Sequence, residues 1–123
     1  MAASVDHKSV TIVQTTDATQ TTCGTYTIAL ATVVNCTAFV EAYSAATGDA
    51  KVFQIVGAVE RIAGGAVILG SVLNLITAQG SAGATTWAAT IDVSGNDLRG
   101  RVTGALATTI SWRVRLEIDV HTP

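Results

Sequence analysis

Four of the seven basic residues stand in two Arg-x-Arg pairs, Arg99 with Arg101 and Arg113 with Arg115. Alternate residues of a strand share a face, so each pair aims two guanidinium groups the same way. Guanidinium groups recognise carboxylates through paired N–H donors and are favoured at protein interfaces. On adjacent strands, four of them repel unless Asp97, Glu117 and Asp119 offset them or a partner subunit's carboxylates do so. Phe39 and Tyr43 flank Glu41 on one face of another stretch and form a second interface candidate. His7 and His121 are the two histidines, each close to a carboxylate (Asp6, Asp119). They would suffice for a zinc or nickel site if the first and last strands were neighbours or if copies met on a symmetry axis. Without a CxxC or HExxH pattern they read as solvated terminal residues, and neither a metal nor another cofactor is expected. The sequence has no Gly-x-Ser-x-Gly elbow, P-loop or Gly-x-Gly-x-x-Gly fingerprint. Its nine carboxylates fall mostly in turns or on outward faces, where nothing desolvates them for general acid work. An enzyme is not expected.

The elements that must position these residues are strands. From Thr108 to Val120, Ile110, Trp112, Val114, Leu116, Ile118 and Val120 alternate with Ser111, Arg113, Arg115, Glu117 and Asp119. A period of two gives one apolar and one polar face. Asp97 to Val102 alternates in the same sense, and the short connection Gly104–Ala107 predicts an antiparallel hairpin. In that register Val102 lies opposite Ile110, Arg99 opposite Arg113 and Asp97 opposite Arg115, all four charges on one outer face. Trp87, Ala89, Ile91 and Val93 form the strand before it, joined by the turn sequence Ser94-Gly95-Asn96-Asp97. The last third thus reads as a three-strand meander with Trp87 and Trp112 in the core.

The rest follows the same pattern. Val10 to Gln14 reads as a short strand, and Thr15 to Thr22 as a polar loop or edge. Tyr26, Ile28 and Leu30 alternate, and a turn near Thr32 leads to Val34, Cys36, Ala38, Val40 and Ala42. Thr47-Gly48-Asp49 is a turn. Phe53, Ile55 and Val59 belong to a strand ending at Ala63-Gly64-Gly65, and Ala66 to Ile76 is a further apolar run closed by the loop Gln79–Gly83. About eight strands at regular spacing predict an all-β chain, an antiparallel β-sandwich of jelly-roll-like type. It reads as one domain over 1–123, with an N-terminal arm and first strand at 1–22 and the core sandwich at 23–123.

Composition narrows the function. Of 123 residues, 49% are hydrophobic and 13% charged, about half the roughly 25% charge of an average globular protein. A disordered chain needs the opposite balance. A net charge of -2 and a pI near 5.5 argue against nucleic acid as partner. Mean hydropathy is +0.46, yet Glu60, Arg61, Gly64, Gly65 and Asn74 break the most apolar stretch, so no ~20-residue membrane span is expected. Met1 to Lys8 lacks the apolar region of a signal peptide. So few charges on so small a domain imply that part of its surface is covered, by other copies or by another protein. Chain ends pinned by a neighbour would suit such an assembly.

A hairpin at Thr32 would place Cys36 opposite Ile28 and leave Cys23 at least ~15 Å away, beyond the about 7 Å a disulfide allows. Two free thiols are expected, as suits assembly in a reducing cytosol. Asn35-Cys36-Thr37 matches a glycosylation sequon by chance.

The run Trp87-Ala88-Ala89-Thr90-Ile91-Asp92-Val93-Ser94-Gly95-Asn96-Asp97-Leu98-Arg99-Gly100-Arg101-Val102-Thr103-Gly104-Ala105, followed by Thr108-Thr109-Ile110-Ser111-Trp112, resembles a segment of structural proteins of tailed bacteriophages. The shared pattern is a Trp-led strand, a Ser-Gly-Asn turn, an Arg-x-Arg-Val-Thr-Gly strand and a closing Thr-Ile-x-Trp strand. Gly64-Gly65-Ala66-Val67, Gly70-Ser71-Val72 and Phe39-Val40-Glu41-Ala42 are similar to the same modules. The resemblance spans Tyr26 to Val120 and carries no catalytic motif. It implies a virion component from a tail fibre, a head fibre or a capsid decoration. Because the sequence shows no long N-terminal shaft, the expectation is a small decoration (cement) protein on the capsid exterior, assembled in the host cytoplasm. The resemblance further implies a homo-oligomer, with three-fold symmetry, bound to the major capsid protein or other virion subunits. The alternatives are the distal receptor-binding domain of a tail or head fibre, and a carbohydrate-binding module. The latter needs aromatics on an open face, and the chain has only two each of Trp, Tyr and Phe.

Overall fold

The computed structural model describes residues 3–76 and 79–122, the side chains of residues 3–6 aside. The expectation about pinned chain ends concerns Met1 and Pro123, which lie outside the described residues. Eight strands follow one another: β1 (Ala3–Thr15), β2 (Thr21–Thr27), β3 (Thr32–Tyr43), β4 (Ala50–Arg61), β5 (Val67–Asn74), β6 (Ala88–Ser94), β7 (Asp97–Thr103) and β8 (Ile110–Thr122). A single 3-10 turn, Ala82–Ala84, precedes β6. The strands form two antiparallel sheets, a larger one in the order β1-β8-β3-β4-β5 and a smaller one in the order β2-β7-β6. The chain crosses between sheets from β1 to β2 and back from β7 to β8, so the β2–β7 pair nests inside the β1–β8 pair. This rolled double hairpin is the jelly-roll feature; β3-β4-β5 and β6-β7 are plain meanders.

The alternating sets face each other across the core. Val34, Cys36, Ala38, Val40 and Ala42 of β3, Phe53, Ile55 and Val59 of β4, and all six expected residues of β8 are buried. Leu98 and Val102 of β7, Ile91 of β6 and Trp87 close the core from the smaller sheet. Trp112 sits at its centre, 6.3 Å from the Phe53 ring and 6.2 Å from the Trp87 ring. Its indole N–H is satisfied by Thr15 Oγ1 at 2.8 Å, which ties the end of β1 to β8. Gly100 leaves no room for a side chain: a Cβ there would stand 2.5 Å from the carbonyl oxygen of Cys23 on the neighbouring strand β2 and 3.2 Å from Val114 Cγ1 of the facing sheet.

The expected hairpin of β7 with β8 does not form. β7 pairs with β2 and β6, while β8 pairs with β1 and β3. The two strands alternate in the same sense because their apolar faces look at each other across the core, a pattern that strands side by side in one sheet would share. Gly104 to Thr109 is therefore a crossover, with Ala107 in the left-handed region at φ 54°. The meander reduces to the β6–β7 hairpin, whose Ser94↔Asp97 pair brackets the turn at Gly95-Asn96 as expected, with Gly95 at φ 58°.

The turn near Thr32 is likewise a passage between sheets, so Cys36 lies beside Gly57 and Ile118 rather than Ile28. Arg61 fastens that passage: Nη1 donates to the Ile28 carbonyl and Nε to the Gly64 carbonyl, both at 2.8 Å. Cys23 and Cys36 are both free and buried. Cys23 belongs to the smaller sheet, where its thiol donates to the Thr11 carbonyl at 3.4 Å. β1 is also longer than the expected Val10–Gln14 segment, pairing with β8 along its whole length.

Candidate interaction surface

The crossover separates the two arginine pairs. Arg99 and Arg101 lie on the outer face of the smaller sheet, Arg113 and Arg115 on the outer face of the larger, so Arg99 is not opposite Arg113, nor Asp97 opposite Arg115.

The smaller sheet's outer face is closed upon itself. In its register, Thr22 pairs with Arg101, Thr25 with Arg99 and Thr27 with Asp97; on the other side Thr90 pairs with Arg101, Asp92 with Arg99 and Ser94 with Asp97. Arg99 donates to both oxygens of Asp92, Nε to Oδ1 at 2.8 Å and Nη2 to Oδ2 at 2.9 Å. These hydrogen bonds hold the Arg99 guanidinium above its ordinary pKa. Arg101 places Nε 3.6 Å from Asp92 Oδ2, and donates from Nη1 to Thr22 Oγ1 at 2.6 Å and from Nη2 to Gln20 Oε1 at 3.1 Å. Thr27 donates to Asp97 at 2.7 Å. Hydroxyls and ion pairs fill this face, and no large apolar side chain stands on it.

The larger sheet's outer face is built differently. Its rows run from β1 to β4 as Ile12–Arg113–Glu41–Val52, Val10–Arg115–Phe39–Gln54 and Lys8–Glu117–Thr37–Val56. On β5, Leu73 sits beside Val56, Leu69 beside Ala58 and Val67 beside Glu60. Charges occupy the middle. Arg113 Nη1 donates to Glu41 Oε1 at 2.9 Å, and Arg115 Nε stands 3.2 Å from Glu117 Oε2. The Arg115 guanidinium also covers the Phe39 ring at 4.4 Å, a cation–π contact. Arg113, Arg115, Glu41, Phe39, Val52 and Ile76 line a depression of about 380 Å³.

Both flanks are apolar and uncovered. On β1, Ile12 is 66% exposed and Val10 50% exposed. At the other edge Val67, Leu73 and Leu75 are each exposed by 54% or more, with Leu69 and Val52 also exposed. Phe39 and Tyr43 thus share this face, Tyr43 open at 53% and Phe39 half-buried under Arg115.

The β5 residues carried no chemistry in the sequence, yet a signal was there. Val67-Ile68-Leu69 and Val72-Leu73 lack polar alternation, the mark of a strand covered on both faces. Here only the inner face is covered by the chain's own core.

The structure keeps the histidines apart. His7 points inward, its ring centroid 4.9 Å from that of Tyr26, while His121 is exposed on the outer face. Among the described residues no group of three or more His, Cys, Asp or Glu side chains is placed to hold a metal ion. No helix among them is long and apolar enough to cross a membrane.

No family model matches the chain, and no curated protein matches it. Among solved structures it is similar to the tailspike protein of Acinetobacter baumannii phage AM24, with 12% sequence identity and a TM-score of 0.44. The match covers 92% of this chain and 26% of that one, so the chain spans about a quarter of that protein's length.

Proposed function

We propose that this chain is a non-enzymatic structural subunit of a tailed-phage virion, of the capsid-decoration type, that self-associates and binds the outer shell. The observation that carries the proposal is the outer face of the larger sheet. It leaves valine, leucine and isoleucine side chains in water along both flanks, while the smaller sheet leaves none. Covering such a face stabilises an assembly by ~25 cal/mol per Å² of apolar area removed from water. The central arginine–carboxylate pairs fix the orientation of whatever docks there. The virion address rests on the resemblance carried by Trp87 to Trp112, which also supports a three-fold oligomer. A carbohydrate module is disfavoured because Trp87 and Trp112 are buried.

The test is co-sedimentation of the purified chain with undecorated capsids of the parent phage and with cells of its host. Retention on capsids and not on cells supports decoration. Retention on cells alone reassigns the chain to a fibre tip, and retention on neither overturns the virion reading.

A further inference from the structure

We infer that the exposed face of the larger sheet is covered by other copies of this chain, packed sheet face against sheet face. The inference deepens the reading of the chain as an assembly subunit and rests on it. Its first support is area. Five strands spaced ~4.8 Å apart, over about ten residues of ~3.3 Å each, give a face of roughly 800 Å². Stable interfaces bury about 800 Å² per partner. The β4–β5 stripe alone supplies roughly 300 Å² on the same spacings and falls short. The whole face must be engaged, squarely by one neighbour or by halves from two.

Charge is the second support. Lys8, Arg113 and Arg115 share the face with Glu41, Glu60, Glu117 and Asp119, and Arg113 and Arg115 are already matched to Glu41 and Glu117. Such a face offers little field to a strongly acidic or basic partner. With four carboxylates against three cations the face is close to neutral, so it repels its own copy only weakly, and it has apolar flanks on both sides to meet one.

Edge geometry is the third. β5 has Gly70 in the left-handed region at φ 70° and a register break between Val56 and Ala58. A bulged edge is a poor acceptor for another strand, so the apolar side chains of β5 are offered through the face and not through the β5 edge.

The experiment is sedimentation velocity on the full chain across a wide concentration range, with Leu73→Asp on the face and Thr25→Asp on the opposite sheet as control. The wild type is expected to sediment at a multiple of 12.6 kDa. Leu73→Asp, buried in the contact, should weaken self-association at least about thirtyfold, while Thr25→Asp leaves it unchanged. Far-UV circular dichroism checks that each variant is folded. If Leu73→Asp is not, the paired change Leu69→Ser with Leu73→Ser replaces it. A wild type that stays monomeric overturns the inference, and so does a folded face variant that associates as tightly as wild type. Either result leaves the decoration reading standing if the chain still binds capsids. An oligomer that Leu73→Asp dissolves, but that ignores capsids, supports the inference and overturns decoration.

Discussion

The outer faces of the two sheets obey one alternation rule and reach opposite ends. On the smaller sheet the outward charges are answered within the sheet: Asp92 holds both Arg99 and Arg101, and Asp97 accepts from Thr27. On the larger sheet Arg113 and Arg115 are paired too, with Glu41 and Glu117, but they sit between two apolar borders that no described residue covers. Alternation decides which way a side chain points. Whether the outward set is polar decides what that side meets. The smaller sheet is finished as a water-facing surface, whereas the larger one leaves apolar side chains in water, and on that difference the proposed assembly rests.

The strongest way to probe this difference is from the inside, where each sheet has a glycine with no room for a side chain, Gly100 of β7 against the neighbouring strand β2 and Gly57 of β4 against the facing sheet. At Gly100 an added Cβ would meet the Cys23 backbone oxygen at 2.5 Å, and at Gly57 it would meet Ile91 Cδ1 at 2.7 Å. Backbone cannot step aside as the end of a side chain can. Gly100→Ala should therefore cost about 1–3 kcal/mol, towards the upper end, and Gly57→Ala clearly less. Urea unfolding of the two variants checks the order; equal costs would mean that the Cys23 backbone yields as readily as a side chain. Next in size is Thr15→Val, which leaves the buried Trp112 N–H without its acceptor. Its expected cost is about 1–3 kcal/mol, with Tm falling accordingly.

The cysteines extend the comparison to alkaline pH, one in each sheet. Burial pushes the Cys23 thiol from 9.0 up to about 11 and the Cys36 thiol up to about 12. Above pH ~9 the unfolded chain ionises its thiols while the folded chain keeps them neutral, so unfolding releases protons. Stability from the neutral thiols is complete below 9.0 and drains away as pH rises towards about 11 and about 12. Each unit of separation is worth at most ~1.4 kcal/mol. Cys36→Ala should lose less stability than wild type between about pH 9 and 11 in urea titrations, and Cys23→Ala should show the smaller change. A wild-type alkaline loss untouched by either substitution would sink this account.

The sequence made the strands legible because nearly every one buries a single face: Ile110 to Val120 and Val34 to Ala42 alternate over their full length and fold as read. Which strands lie side by side was not legible. Residues that face one another across a core carry the same alternation as residues that pair within a sheet, so Leu98 and Val102 looked like hairpin partners of β8. The short Gly104–Ala107 segment reinforced the error, since a crossover between stacked sheets takes as few residues as a hairpin. That misplacement merged two separate arginine pairs into one expected patch. Phe39 and Tyr43 were placed on the correct face because β3 alternates cleanly. The flank at Leu69 and Leu73 is not singled out by the sequence, because an apolar run without alternation does not say which of its side chains face outward. Its composition is that of a strand covered on both faces, which is what the proposed self-association would supply.

The smallest effects separate the two faces most cleanly. Asp92→Ala removes the carboxylate that both Arg99 and Arg101 use, leaving two like charges two residues apart on β7. A modest drop in Tm is expected, larger in low salt than at molar salt, because screening weakens both the lost attraction and the new repulsion. Leu73→Ser removes as large a side chain, yet from a position 56% exposed that contributes little to the isolated fold. Under dilute, dissociated conditions its stability should stay within about 0.5 kcal/mol of wild type. At concentrations where copies meet, the order inverts. Association stabilises only what binds the folded form, so Leu73→Ser then loses the concentration-dependent rise in Tm and Asp92→Ala keeps it. Melting both variants over a dilution series therefore asks which face the molecule holds together by itself and which it leaves for company. A Tm of Leu73→Ser that climbs with concentration as steeply as wild type would erase the distinction.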